Sequence, residues 1–178
     1  SIISLMFFIF LNKSIFNFFY LEYLIVGLGI FLIGFLGDLK INLSPKIRLI
    51  LMSIFLFFCI NIFSFEISYI DLIFLNDLLN IKLFSICFIL LCFLFIINGA
   101  NLIDGFDGLL ALQLIIINTI LLIINLDNNP NNQTLFITAQ LIILAIFFLF
   151  NFPKAKIFMG DGGAYLFGAI TSLNIILT

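Results

Sequence analysis

The stretch from Asn98 to Gly108 reads Asn-Gly-Ala-Asn-Leu-Ile-Asp-Gly-Phe-Asp-Gly. Two amides and two carboxylates recur at every third position: Asn98, Asn101, Asp104 and Asp107. Residues three apart share a helix face, so this spacing predicts one polar stripe at a helix end. Gly105 and Gly108 let backbone or ligand approach closely. A solvated, glycine-capped helix end accounts for one Asn and one Gly. It does not account for four aligned polar residues in an apolar chain. Polar groups at the edge of hydrocarbon are costly and usually functional.

Two further stretches carry carboxylates at the ends of apolar runs. Gly160-Asp161-Gly162-Gly163 sets one carboxylate in a permissive backbone, which suits a hard cation bridging to phosphate oxygens. Lys154 and Lys156 add positive potential for an anionic substrate, and Phe158 offers a ring for a planar base. Alone, these residues also read as a turn, membrane-side anchors and a lipid contact. Gly34-Phe-Leu-Gly37-Asp38 supplies the third stretch, where a lone Asp gains weight only from its company. Asp38, Asp104, Asp107 and Asp161 converging on one site would repel one another unless a cation sat among them. Mg²⁺ completes its shell with water and substrate phosphates, and Mn²⁺ is an acceptable substitute. Metal-assisted phosphoryl transfer is the chemistry these parts suit.

The elements that position them are transmembrane helices. The chain is 65% hydrophobic and 9% charged over 178 residues, against about 25% charged in soluble domains. A soluble core of this length cannot hide so much apolar surface, whereas a spanning helix needs about 20 such residues. The predicted fold is an all-α, polytopic transmembrane bundle forming a single domain over residues 1–178. Spans are predicted at about 2–11, 19–36, 46–63, 83–97, 109–126, 135–150 and 164–178. Ser44 and Pro45 fit the N-cap and first turn of the third span. Residues 64–82 are too polar to span and read as an interfacial helix or an extended hairpin. Both ends fall inside apolar runs, so the chain is expected to be a fragment truncated at both ends.

Alternating spans put the loops 37–48, 98–108 and 151–163 on one side. Those loops hold Lys40, Lys46, Arg48, Lys154 and Lys156, against Lys13 and Lys82 opposite. The positive-inside rule makes the first side cytoplasmic, and the same side carries all four motif aspartates. The net charge of −2 says little about partners, and no basic run suggests nucleic-acid binding, so no nucleic-acid partner is expected. Histidine is absent, so no imidazole serves as base or ligand. Cys59, Cys87 and Cys92 read as small buried hydrophobes. Oligomeric state is not legible.

Together the three stretches resemble the polyprenyl-phosphate N-acetylhexosamine-1-phosphate transferases, the superfamily that includes muramyl-pentapeptide phosphotransferase. The family pattern is an acidic pair after a span, then N-x-x-N-x-x-D-G-x-D-G-L, then F-x-G-D-x-G. Here these stand as Gly37-Asp38, Asn98 to Leu109, and Phe158 to Gly163, with Ser44-Pro45-Lys46-Ile47-Arg48-Leu49 also similar. The resemblance covers about residues 31–168. It implies transfer of a sugar-1-phosphate from a UDP-N-acetylhexosamine to undecaprenyl phosphate, releasing UMP, with Mg²⁺. The setting implied is the cytoplasmic face of the bacterial plasma membrane, in cell-envelope polysaccharide synthesis. By similarity, Asp161 is the metal ligand, and Asp38 and Asp104 belong to the catalytic acidic cluster. Asn98 and Asn101 line the substrate and phosphate region. Asp107, Asn151 and Phe158 hold the uridine, with Phe158 stacked on the uracil. Gly162-Gly163-Ala164-Tyr165 is closer to the O-antigen side of the family.

Two departures follow from the same comparison. Gly37 stands where the family has its first acidic residue, which shifts work to Asp38 or leaves a catalytically impaired member. The family's later basic cytoplasmic loop, which helps recognise the sugar, is not in this chain, so the fragment alone is expected to be inactive. Two other readings compete. A CDP-alcohol phosphotransferase needs an Ala-Arg soon after its first Asp-Gly, and no arginine follows Asp104-Gly105. A transporter fragment, not an enzyme, would place polar residues near the bilayer midplane rather than at span ends.

Overall fold

The computed structural model describes residues 21–39, 44–67, 70, 72–127 and 132–178. Within them the chain is helical throughout: α1 (Leu21–Asp38), α2 (Pro45–Phe63), α3 (Ile73–Leu79), α4 (Lys82–Ile103), α5 (Leu109–Asp127), α6 (Asn132–Asn151) and α7 (Gly160–Leu177). No strand occurs among the described residues. The all-α, polytopic bundle predicted from composition is the fold observed. α1, α2, α4, α5 and α6 are long and apolar enough to cross a membrane. Helices suit that solvent because every backbone polar group is satisfied within the segment. Their outward faces present Phe58, Ile62, Phe95 and Leu149, all strongly exposed.

Several boundaries differ from the sequence reading. The span at 2–11 lies outside the described residues, as do Lys13, Lys40 and the start of the 19–36 span. Within 64–82, α3 forms where helix and hairpin were both open. Asn76 fixes its approach by donating to the Ile70 carbonyl (2.7 Å) and accepting from the Ile70 N–H (2.9 Å). α4 runs on to Ile103 rather than stopping at 97. The Asn98 amide folds back onto the Leu94 carbonyl (2.8 Å), which lets a polar residue stay helical there. α2 begins as expected, with Ser44 as N-cap accepting from the Ile47 N–H (3.4 Å) and Pro45 in the first turn. Of the cysteines, only Cys59 is buried; Cys87 is exposed and Cys92 half-buried, because α4 turns an outer face to the surroundings.

α7 is the axis of the bundle. Every residue from Gly162 to Asn174 is buried, so it is enclosed on all sides. It is also absent from the set of helices apolar enough to span. Both facts have one cause: its polar side chains face protein rather than lipid. Asn174 donates to Asn118 Oδ1 on α5 and to Gln140 Oε1 on α6, both at 2.8 Å, and accepts from the Tyr23 hydroxyl on α1 at 2.8 Å. Thr171 accepts from Gln140 (2.8 Å) and Asn118 (3.2 Å). Above this network the apolar core joins α1, α2, α4 and α7 through Ile30, Leu56, Phe93 and Ile170.

Asn174→Leu leaves the buried acceptors of Asn118 and Gln140 without their donor. The expected loss is about 1–2 kcal/mol of stability, read as a lower unfolding midpoint in detergent. An unchanged midpoint would show that the network does not hold α7.

Candidate active site

The first turn of any helix leaves its N–H groups without intrahelical partners. α7 has no side-chain cap of its own, since Met159 occupies the N-cap position. Two carboxylates from distant helices take that role. Asp104, at the C-cap of α4, accepts from the Met159 N–H through Oδ1 (3.3 Å) and from the Gly160 N–H through Oδ2 (3.0 Å). Asp38, the last residue of α1, accepts from the Asp161 N–H through Oδ1 (2.9 Å) and from the Gly162 N–H through Oδ2 (3.1 Å). Four successive donors are thereby satisfied by anions at the positive end of a helix dipole. This capture starts α7 at Gly160, four residues before the predicted 164, and draws Asp161 into its first turn.

The glycines make that approach possible. Gly160 has φ +71°, and a Cβ there would lie 3.1 Å from both Asp38 carboxylate oxygens. A Cβ at Gly162 would lie 3.2 Å from Asp38 Oδ2. Asp161 itself pairs with the Arg48 guanidinium from the first turn of α2. Asp104 is only 8% exposed. Burial pushes its carboxyl above the usual range; the two backbone N–H donors pull it down, and the charges of Asp161 and Asp38 add to the rise.

The stripe predicted for Asn98, Asn101, Asp104 and Asp107 is found for its first three members. Asn98 and Asn101 lie half-buried on the last turns of α4, with Asp104 capping them. Asp107 leaves the stripe, because α4 ends at Ile103 and the chain turns through Phe106 N–H to the Ile103 carbonyl (3.2 Å). It stands exposed in the turn before Leu109. Asn151, expected to hold uridine, is 1% exposed with its amide engaged at both ends. Its Oδ1 accepts from the Gly108 N–H (2.8 Å) and its Nδ2 donates to the Ile157 carbonyl (2.6 Å). Asn151 therefore staples the α4–α5 turn to the α6–α7 loop. Phe158, 52% exposed, and Lys154 and Lys156 stand on the outer side of that loop.

Arg48 is a residue of this cluster to which the sequence reading gave no role, having counted it as a membrane-side charge within the family-like Ser44–Leu49 stretch. Its signal was present: a cation in the first turn of a helix opposes the dipole and needs an anion nearby. The ends of α1, α4 and α6 and the starts of α2, α5 and α7 thus meet at one end of the bundle. A cavity lined by Asn61, Glu66, Asn80 and Lys82 lies at the other end and shares no residue with this cluster.

The sequence profile of glycosyl transferase family 4 matches residues 20–178. The chain belongs to that family. Among curated relatives, it is 36% identical over 177 residues to the phospho-N-acetylmuramoyl-pentapeptide-transferase of Dictyoglomus turgidum, covering 94% of this chain and 57% of that protein. It is 32% identical over 166 residues to the transferase of the same name from Clostridium perfringens strain 13, covering 87% of this chain and 51% of that protein. A third, from Lactiplantibacillus plantarum, is 42% identical over 81 residues, or 45% of this chain and 25% of that protein. The chain spans about half the length of the curated relatives it matches most fully.

Among the described residues, no three acidic, histidine or cysteine side chains form a cage for an ion. The donors do fit a magnesium ion completed by substrate phosphates, which needs only one or two carboxylates. Asp161, paired with Arg48, would be one such carboxylate, and each oxygen of Asp38 and Asp104 keeps a lone pair beyond its N–H partner.

Gly160→Ala forces a side chain into positive φ and against Asp38. The expected cost is about 1–2 kcal/mol, measured as a lower unfolding midpoint. Gly105→Ala meets nothing within 4 Å and is expected to stay within about 0.5 kcal/mol of the parent. Equal effects would show that the Asp38 cap does not depend on Gly160.

Proposed function

We propose that this chain carries the acidic site of a transferase that moves a sugar-1-phosphate from a UDP-N-acetylhexosamine to undecaprenyl phosphate, releasing UMP. The observation that carries this reading is the meeting of Asp38, Asp104 and Asp161 around the Met159–Gly162 backbone at one end of the bundle. A site at a bundle end suits a lipid phosphate held at the membrane surface and a nucleotide arriving from water. A transporter would instead set its polar groups near the midplane. Lys46, Arg48, Lys154 and Lys156 share this end while Lys82 stands at the other, which favours a cytoplasmic site.

In this reading the lipid phosphate attacks the phosphorus that bears the sugar, in line with departing UMP. Phosphoryl transfer asks the protein mainly to position the groups and to balance charge. Phe158 stacks on uracil, and Asp107, free of the α4 stripe, receives the ribose or base edge. Lys154 and Lys156 raise the local concentration of the anionic donor. Asp38 and Asp104 hold the glycine backbone rigid, and Asn151 holds the loop that displays Phe158. Asp161 would hold Mg²⁺, which supplies neutralisation of pyrophosphate charge. The relatives' names favour an N-acetylmuramoyl-pentapeptide donor. Gly162-Gly163-Ala164-Tyr165 favours an O-antigen type of N-acetylhexosamine.

The test is UMP release by the full-length protein in membranes containing undecaprenyl phosphate. UDP-N-acetylglucosamine and UDP-N-acetylmuramoyl-pentapeptide would be supplied separately. Release with one donor, falling about 10²–10³-fold in Asp161→Ala, supports the reading and names the donor. Solute flux without UMP release would support the transporter instead.

A further inference from the structure

Gly37 lies one residue before Asp38, in the last turn of α1, and faces the Arg48–Asp161 pair. A Cβ at position 37 would lie 2.8 Å from Arg48 Nη1 and 2.8 Å from Asp161 Oδ2. Any side chain there would press on both partners. Both atoms are the ends of flexible side chains, so a side chain at 37 would compete with the pair for that space and shift it. We infer that Arg48 is a built-in cation that occupies Asp161 in competition with a divalent metal ion, with Gly37 leaving open the space beside the pair. This rests on the reading above, in which Asp161 is the metal-facing carboxylate.

Three observations support a positioning role rather than a routine ion pair. First, the pair is partly shielded: the Arg48 and Asp161 side chains are 16% and 31% exposed. Such a pair is screened less by salt than a surface one. Second, Arg48 sits in the first turn of α2, which has no acidic residue in that turn, so the dipole disfavours it there. Asp161 is the acceptor that offsets this cost. Third, Arg48 Nε is buried and finds no acceptor among the described residues. A guanidinium fork with an unspent donor is incompletely tied down, so moving it off Asp161 sacrifices few hydrogen bonds.

The consequence is electrostatic. Asp38 and Asp104 accept from backbone N–H groups, so Asp161 is the carboxylate held by a side-chain cation. A divalent ion on Asp161 shares it with a full positive charge and binds more weakly than on a free carboxylate. An arriving pyrophosphate offers Arg48 a second anion and so frees Asp161 for the metal. Metal binding and donor binding become positively coupled through one arginine.

Manganese(II) binding to the detergent-solubilised full-length protein tests this, read by electron paramagnetic resonance without any nucleotide. Arg48→Gln is expected to tighten the Asp161-dependent site about tenfold, equivalent to about 1.4 kcal/mol. Gly37→Asp, which crowds the guanidinium and adds a carboxylate, is expected to tighten it at least as much. Arg48→Lys, lacking the fork, is expected to fall between parent and Arg48→Gln, and it guards against misfolding of the glutamine variant. Adding UDP is expected to strengthen manganese binding in the parent and much less in Arg48→Gln. If manganese binds through Asp161, as shown by its loss in Asp161→Asn, but all three variants match the parent, the inference fails alone. If binding in the parent ignores Asp161→Asn, the metal reading of the site fails and takes the inference with it.

Discussion

Two carboxylates holding four consecutive backbone N–H groups is the interaction on which the rest of this structure depends. Asp104 takes the donors of Met159 and Gly160; Asp38 takes those of Asp161 and Gly162. These acids reach α7 from the ends of α1 and α4, helices separated by more than forty residues of sequence. The capture defines where α7 begins. It also fixes the backbone from which Asp161 projects, and Arg48 pairs with its side chain. Removing Asp104 would free one buried and one half-buried donor, where water offers poor replacement, whereas the Asp161 N–H held by Asp38 lies at an exposed bond.

The same helix is gripped along its length by a different device. Asn118, Gln140, Thr171 and Asn174 satisfy one another inside the bundle, toward the C-terminal part of α7 and away from the acidic cluster. In lipid there is little hydrophobic drive between helices, so packing and interhelical hydrogen bonds must supply the attraction. An amide network specifies register more sharply than Leu against Leu, since a shift of one turn leaves several groups unpaired. The network thus sets the depth of α7, and the carboxylates set its end. Together they fix the Met159–Gly162 segment in three dimensions.

Much of this was legible in the sequence, for identifiable reasons. Long apolar runs broken by compact polar stretches give membrane helices because burial of 20 apolar residues dominates every weaker term. Alternation of spans put Asp38, Asp104, Asp107 and Asp161 on one side; that Asp38 and Asp104 meet at the start of the helix carrying Asp161 is seen only in the fold. The α7 boundary was missed because its start is set by acids far away in sequence, not by a local cap. Asp107 was misplaced because a period of three continues in sequence past Ile103, where α4 ends. Asn151 was read as a ligand contact because a polar residue at a span end is ambiguous until its neighbours are known; here it also joins Gly108 to Ile157. The amides of α5, α6 and α7 were passed over singly, yet Thr171, Asn174 and Thr178 at spacings of three and four already mark a polar face.

Gly37 has a second role, which separates its meaning in this chain from a mere loss. Gly27, Gly34 and Gly37 lie seven and three residues apart, on one face of α1. A Cβ at Gly27 would meet Leu166 at 3.2 Å, and one at Gly34 would meet the Asp161 carbonyl oxygen at 2.7 Å. α1 therefore lies on α7 through a stripe of small residues, with Gly168 of α7 packed in turn against Ile97 and Ala100 of α4. Position 37 continues that stripe to the site itself. A helix drawn so close leaves little volume at the last turn, and an acidic side chain would have to displace the guanidinium to enter it. The glycine and the arginine are thus alternatives to a second acid within one confined space, and the charge on Asp161 is balanced from within the fold.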